Sequence, residues 1–325
     1  MCLQITQPGF LATVQDGGRF GYQRFGIPVA GAMDTFAMRV ANRLVGNADD
    51  AAVLEIGIQA PVLVALQDCL IAVTGSGFDL FIRGEPAPLW TALVVRSGWE
   101  IAFHRQPFGC WIYLALAGGI AVEPVLGSRS TYLRGGFGGF EGRTLQAGDV
   151  LYSLHPSSLA LTLAGRRLPE HKRPAYSVTP LIEVVLGPQQ EYFDAQGITT
   201  FLSSEYLVSA ASDRMGYRLQ GAAVAHSRGA DIVTDGLVAG AVQVPSSGQP
   251  IIMMRECPTS GGYAKIAVVV SADLPLLAQC VPGGDARIRF TPTSVEAAQA
   301  RYRQMLQCLG AIENAEDEDA GIYAF

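Results

Sequence analysis

Between positions 259 and 265 the chain places two hydroxyls, two glycines and an ammonium: Thr259-Ser260-Gly261-Gly262, then Lys265. A hydroxyl pair beside glycines allows close main-chain approach, and two successive N–H groups there suit an oxyanion or a phosphate. The same composition suits a tight turn whose hydroxyls satisfy their own backbone. Lys265 is one of only two lysines, the other being Lys172. In or beside a strand it fits a bound carboxylate or carbonyl phosphate as well as it fits the plain surface. Upstream, Gln243, Ser247 and Gln249 surround Pro245 and Gly248. That reads either as a rigid loop offering neutral donors and acceptors to an amide or ureido group, or as a simple turn. Ser260, Thr259 and Lys265 are therefore the catalytic candidates.

Two motifs occur twice in the same order. Arg19-Phe20-Gly21-Tyr22 is followed by Val29-Ala30-Gly31-Ala32, and Arg214-Met215-Gly216-Tyr217 by Val238-Ala239-Gly240-Ala241. The ordered repeat predicts two related domains in which Arg19 superposes on Arg214 and Gly31 on Gly240. Each arginine has a carboxylate nearby in sequence, Asp16 and Asp213. The pair acts either as an ion pair pinning a loop within its domain or as a bidentate hold on a substrate carboxylate. Tyr22 and Tyr217 read as core aromatics with satisfied hydroxyls.

The elements that must position these groups are mostly strands. Residues 61–66, 69–73, 111–116, 181–186, 250–254 and 267–270 are short, rich in β-branched or aromatic residues and bounded by turn formers. Short, closely spaced strands favour sandwiches or barrels. Helices are few: one capped by Asp34 and running to Leu44, a short one capped by Asp273, and one opened by a capping box at Thr293-Ser294-Val295-Glu296 and running to about Leu309. The stretch 165–174 is charged and carries prolines, as an exposed connector does, so the domains fall at 1–165 and 176–325. Gly135–Arg143 reads as a hairpin or Ω-loop rather than a phosphate cradle.

A chain of 325 residues, 49% hydrophobic and 16% charged, fits two globular domains. The net charge is −6 and the 23 basic residues are scattered, which gives no nucleic-acid footprint. The longest apolar stretch, about 110–122, is too short to span a bilayer, and the first residues lack the pattern of a signal peptide. The expectation is a cytoplasmic protein with an acidic, solvated tail at 313–319. The six cysteines and four histidines form no metal-binding spacing. Neither lysine has the setting of a biotin carrier, and no phosphate loop or nucleophile elbow is present.

A resemblance to a known family covers nearly the whole chain. Thr13–Arg19, Gly31–Asp34, Ala41–Asn47, Leu54-Glu55 and Leu116–Ile120 resemble the first half of the C-type subunits of bacterial 5-oxoprolinases; Gly187–Gln189, Ser212–Gly221, Gly240–Pro245, Gly248–Pro250 and Thr259–Tyr263 resemble the second. The family includes the carboxyltransferase portion of urea carboxylase, proteins called allophanate hydrolase subunit 2, and an antagonist of a sporulation kinase inhibitor. The resemblance implies a mostly β chain with two related cyclophilin-like β-barrel domains and a few short helices. It implies a heteromer with a homologue of the B-type subunit and, in the oxoprolinase, with an A-type subunit, which together open 5-oxoproline to glutamate with ATP. No cofactor is bound covalently; ATP acts at the level of the complex, and biotin enters only if another protein supplies it. The alternatives are a carboxyltransferase module moving a carboxyl group from carboxybiotin to urea or a related amide, and a regulatory protein that sequesters a sensor-kinase inhibitor. The substrate-binding candidates are Arg214, Asp213, Tyr217, Gln243, Ser247, Gln249, Tyr263, Arg19 and Asp34. Glu256-Cys257-Pro258 stands where the family usually reads Asp-x-Gln, so Pro258 lacks an amide that relatives carry.

Overall fold

A computed structural model describes residues 2–156 and 158–314. The chain divides into two compact units. The first holds residues 2–19, 34–173 and 307–314, and the second holds 20–33 and 174–306. The halves expected from the sequence thus exchange two segments, 20–33 and 307–314. The connector also differs from expectation at its start. The Gly165 N–H donates to Ala92 O, the Leu168 N–H donates to Trp90 O, and Leu168 is fully buried. An apolar leucine that follows two arginines is drawn against the neighbouring strand edge, where its main-chain N–H finds an acceptor.

The first unit contains β1 (Leu3–Gln7), β2 (Leu11–Gln15), α1 (Thr35–Leu44), β3 (Val53–Gly57), β4 (Val62–Ala65), β5 (Cys69–Gly75), β6 (Phe78–Ile82), β7 (Glu85–Ala87), β8 (Ala92–Val95), β9 (Glu100–Arg105), β10 (Trp111–Leu116) and β11 (Val150–Leu151). They form a six-stranded sheet in the order β11-β1-β4-β9-β6-β7 and a five-stranded sheet in the order β2-β3-β10-β5-β8. One core fills the unit, built from inward residues of both sheets such as Leu3, Ile5, Val14, Leu54, Ile71, Leu80, Ile101 and Leu114. Its strands β3, β5 and β10 are buried at every residue. That explains why they read as continuous apolar runs rather than alternating ones.

The second unit contains β12 (Leu181–Leu186), α2 (Ala195–Ser203), β13 (Tyr206–Val208), β14 (Gly216–Gln220), β15 (Asp231–Gly236), β16 (Ala241–Gln243), β17 (Ile251–Met253), β18 (Ser260–Tyr263), β19 (Lys265–Val269), α3 (Leu274–Ala278), β20 (Arg287–Pro292) and α4 (Val295–Cys308). Seven strands close into a barrel, β12-β19-β16-β17-β14-β13-β20, with β20 completing the ring by parallel pairing to β12. β15 and β18 form a separate antiparallel ribbon.

The mostly β class with short helices is as the sequence predicts. The repeat is not a structural one. Gly216 and Tyr217 open β14, whereas Gly21 and Tyr22 lie outside any strand, and Phe20–Met33 belongs to the second unit along with both Val-Ala-Gly-Ala copies. Four matching residues fix a local conformation, such as the positive φ of Gly31 and Gly240 (87° and 92°), without fixing a place in the sheet order.

Helix ends show smaller corrections. Asp34 caps α1 as expected, its Oδ1 accepting from Ala37 N at 2.9 Å. Asp273 sits before α3 but does not cap it with its side chain. Its carboxylate instead accepts from Glu183 N at 2.7 Å and pairs with Arg301 at 2.6 Å. α4 begins one residue later than the capping box implied, with Ser294 Oγ accepting from Ala297 N. The acidic tail lies outside the described residues from 315 onward, and Glu313 pairs with Arg167 rather than standing free.

Candidate functional site

The barrel's one buried lysine organises the most chemically capable cluster of the second unit. Lys265 opens β19 opposite Gln243 of β16, and Gln243 in turn faces Ile251 of β17. Lys265 Nζ donates to Asp235 Oδ2 at 2.7 Å, with the lysine side chain 4% exposed and the aspartate 53%. Gln189 ties the pair from a third side: its Oε1 accepts from Lys265 N at 3.2 Å and its Nε2 donates to Asp235 Oδ2 at 3.4 Å. The Lys265 bond, followed by the Gly236 N–H, holds the Asp235 carboxyl below the usual carboxylate range. Asp235 therefore keeps its charge and anchors the ammonium, while the other two ammonium N–H groups of Lys265 have no bonded partner among the described residues. A desolvated cation with free donors is suited to meet a carboxylate or a carbonyl oxygen.

Gln243 forms the adjoining wall. It is 5% exposed and its Nε2 donates to Tyr263 O at 3.1 Å. A Cβ on Gly261 would lie 2.8 Å from that Nε2, so the glycine is what lets the amide approach the ribbon. Ser260 and Tyr263 are exposed at the ends of β18, and Thr259 is partly buried just before it, with its carbonyl accepting from Leu237 N. The structure thus gathers Gln243, Thr259, Ser260, Tyr263 and Lys265 around β15, β18 and the start of β19.

Other expectations are corrected. Gly261 and Gly262 do not present two convergent N–H groups. They lie within β18, where successive amides point to opposite edges and Gly261 faces Asp235 in the ladder. Gln249 does not offer its amide to a ligand, because Oε1 accepts from Gly221 N at 3.0 Å and Nε2 donates to Gly221 O at 3.1 Å. Ser247 is exposed on the same turn, accepting from Gln249 N. Asp213 Oδ1 accepts from Met215 N at 2.7 Å and shapes the turn. Arg214 is buried and pairs with Glu256 at 2.6 Å, so that Glu256 has a structural role in this chain. Tyr217 is a core aromatic, its hydroxyl donating to Ala278 O.

Arg19 and Asp34 belong to the first unit. Arg19 is fully buried, donating from Nε to Val125 O and from Nη2 to Ser130 O, with its guanidinium 4.9 Å from the Phe137 ring centre. Asp16 accepts from Gly18 N and from the hydroxyls of Ser128 and Ser130. The two charges pin the 125–131 loop without bonding each other. The glycine-rich stretch 135–143 folds back as a hairpin-like turn, and a Cβ on Gly138 would meet Ser130 O at 2.2 Å. Asp34 is fully buried, its main-chain N–H donating to Tyr113 Oη at 2.7 Å. The Tyr113 hydroxyl is pushed well above its ordinary pKa, first by burial and then by the nearby Glu55 and Asp34 carboxylates.

The first unit also holds a cavity of about 710 Å³. Asn47 builds its floor, donating to Asn42 Oδ1 and Leu116 O and accepting from Gly118 N at 2.7 Å. The segments 41–47 and 116–120 therefore meet in one wall. Sequence reasoning missed Asp235, Gln189 and this wall. Gln189 lies in a quoted motif, whereas Asp235-Gly236 reads locally as an ordinary turn. Among the described residues no helix is long and apolar enough to cross a membrane, and no group of three or more His, Cys, Asp or Glu is placed to hold a metal.

The comparisons relate this chain to carboxyltransferase-domain proteins. The family model described as carboxyltransferase domain, subdomain A and B, matches residues 25–292, and the chain belongs to that family. It is 38% identical over 319 residues to the 5-oxoprolinase C subunit of Escherichia coli, covering 94% of this chain and 97% of that one. It is 33% identical to urea amidolyase of Lachancea kluyveri, covering 97% of this chain but 18% of the relative. The solved Kluyveromyces lactis urea carboxylase superposes with a TM-score of 0.87 at 30% identity, over 98% of this chain and 30% of that one.

Proposed function

We propose that this chain is the C-type subunit of an ATP-dependent 5-oxoprolinase complex, acting with B-type and A-type partners in the cytoplasm to open 5-oxoproline to glutamate. The observation that carries this reading is the reach of the match: it takes in nearly all of the E. coli protein, but 18% of the urea amidolyase. The Lys265 cluster supports the chemistry. A lactam bearing a carboxylate offers oxygen acceptors, and Lys265 supplies N–H donors beside β18. Asp235, itself tied by Gln189, acts as a positioning residue that aims the ammonium. Gln243 lies next in line to read the amide.

The residues present do not fit a covalently held biotin. Lys172 lies in the turn Glu170–Lys172, and Lys265 is buried against Asp235. ATP acts at the level of the complex. The chain alone is then silent: purified by itself it shows no 5-oxoproline-dependent ATP turnover. In the reconstituted complex Lys265→Met lowers turnover by roughly a hundredfold or more, the loss of about 2–4 kcal/mol of transition-state stabilisation. Ser260→Ala tests the neighbouring hydroxyl in the same assay. Turnover by the isolated chain, or full activity of both variants, overturns the reading. A second reading, transfer of a carboxyl group from a separate carboxybiotin protein to a urea-like nitrogen, draws on the likeness to urea carboxylase. Urea-dependent consumption of carboxybiotin with no 5-oxoproline turnover would select it.

A further inference from the structure

The cavity of about 710 Å³ in the first unit plays no part in the reading above, and its groups are complementary to a different kind of ligand. Its floor is preformed, because Asn47 locks Gly118 to the end of α1 and Asn42 Nδ2 donates to Ala51 O at 2.8 Å. Such rigidity lowers the cost of binding. Arg129 lines the cavity and is oriented by one bond, Nε to Val122 O at 2.9 Å; its Nη1 and Nη2 have no hydrogen-bonded partner among the described residues. Asp50 lines it too, exposed and without a bonded partner among those residues. The two groups flank one turn. A Cβ on Gly17 would lie 3.5 Å from Asp50 Cβ, while the neighbouring Asp16 carboxylate accepts from the Arg129 main-chain N–H. Asp16 itself is saturated by Gly18, Ser128, Arg129 and Ser130 and does not compete for a ligand.

We propose that this cavity binds a free α-amino acid as its zwitterion, with the Arg129 fork on the carboxylate and Asp50 on the ammonium. A simple anion would leave Asp50 unanswered and a simple cation would leave Arg129 so; a ligand carrying both charges answers both. Ile120 and Leu163 give the amino-acid side chain an apolar wall, and the volume falls within the range of small-molecule sites. Arg–carboxylate recognition of this kind is bidentate and charge-assisted. The proposal rests on the first unit alone and stands apart from the Lys265 reading. L-Leucine is the first probe, since its apolar side chain suits the Ile120 and Leu163 wall and its only charges are the carboxylate and the ammonium.

The test is calorimetric titration of the purified full chain with L-leucine, beside propionate and propylamine as carriers of one charge each. Saturable one-to-one binding of L-leucine is expected, with neither single-charge compound binding. Arg129→Met and Asp50→Asn should each weaken it by about tenfold or more, at unchanged melting temperature, and Lys265→Met should leave it intact. Because Asp50 is exposed, its variant keeps the test valid even if Arg129→Met fails to fold. The proposal is overturned by no saturation up to about 10 mM, a concentration corresponding to negligible affinity. It is equally overturned by binding that survives Asp50→Asn, by binding that Lys265→Met abolishes, or by propionate or propylamine binding as well as L-leucine.

Discussion

The two Arg-x-Gly-Tyr arginines are alike in sequence and in burial, yet they are stabilised in different ways. Arg214, in the barrel, meets a full countercharge, Glu256 at 2.6 Å, and donates from Nη2 to Gly31 O at 2.7 Å. Arg19, in the two-sheet unit, has neutral acceptors, the carbonyls of Val125 and Ser130, and an aromatic face, while Nη1 has no bonded partner among the described residues. Burial lowers the Arg19 pKa, with Asp16 opposing it from a distance. The contrast teaches that the motif specifies where an arginine is buried but not what neutralises it. A close ion pair makes each partner indispensable to the other, because losing one strands a charge. Neutral cradling spreads the same task over several weaker contacts.

The largest effect should come from Glu256→Gln, which keeps the shape but removes the Glu256 countercharge from the buried Arg214. Chemical denaturation should show a loss of about 3–5 kcal/mol. The double variant Arg214→Met, Glu256→Met should recover most of it, leaving about 1 kcal/mol for the widowed Gly31 carbonyl. A double variant no better than the single one would mean that the pair does more than balance itself. Next in size is Arg19→Met. It strands no charge and leaves two carbonyls short of a donor, so a cost of about 1–3 kcal/mol is expected in the same measurement. If it exceeds the Glu256→Gln loss, the distinction between the two arginines fails. Phe137→Leu should cost about 1 kcal/mol through the lost ring face beneath Arg19.

Smallest is a difference in pH dependence. Asp149 is depressed below its usual value of 3.8, first by its bond to Arg143. Its contribution is therefore present above that value and lost as pH falls through the depressed one. Asp273 in the barrel is raised, chiefly by burial against the opposing bonds from Glu183 N and Arg301. Its contribution has the opposite sign: present below the usual value, and lost as pH rises through the folded one. Asp149→Asn should flatten the acid limb of stability against pH, and Asp273→Asn should not; equal slopes in both variants would remove this contrast.

Much of the fold was legible because its signals are local. The fully buried strands β5 and β10 announce themselves as apolar runs between turn formers, and the α1 cap at Asp34 is a three-residue pattern with one physical meaning. The resemblance gave the family, and the choice of Lys265 followed from the rarity of lysine in this chain. What stayed hidden depends on partners far apart in sequence. Asp235 lies 30 residues from Lys265, Glu256 lies 42 from Arg214, and Ser128 lies 112 from Asp16. A carboxylate in an Asp-Gly turn looks the same whether it faces water or a buried ammonium.

The sequence by itself thus determined the class of fold, six of the twenty strands and three of the four α-helices among the described residues, and which side chains have uncommon chemistry, because each depends on composition and short-range periodicity. Only the tertiary structure decided which charge answers which, that Gln249 closes on Gly221 while Gln243 faces the ribbon, and that residues 20–33 join the second unit rather than the first. Those outcomes follow from sheet order and long loop closures, where a hydrogen bond or ion pair forms only after strands distant in sequence have been brought side by side.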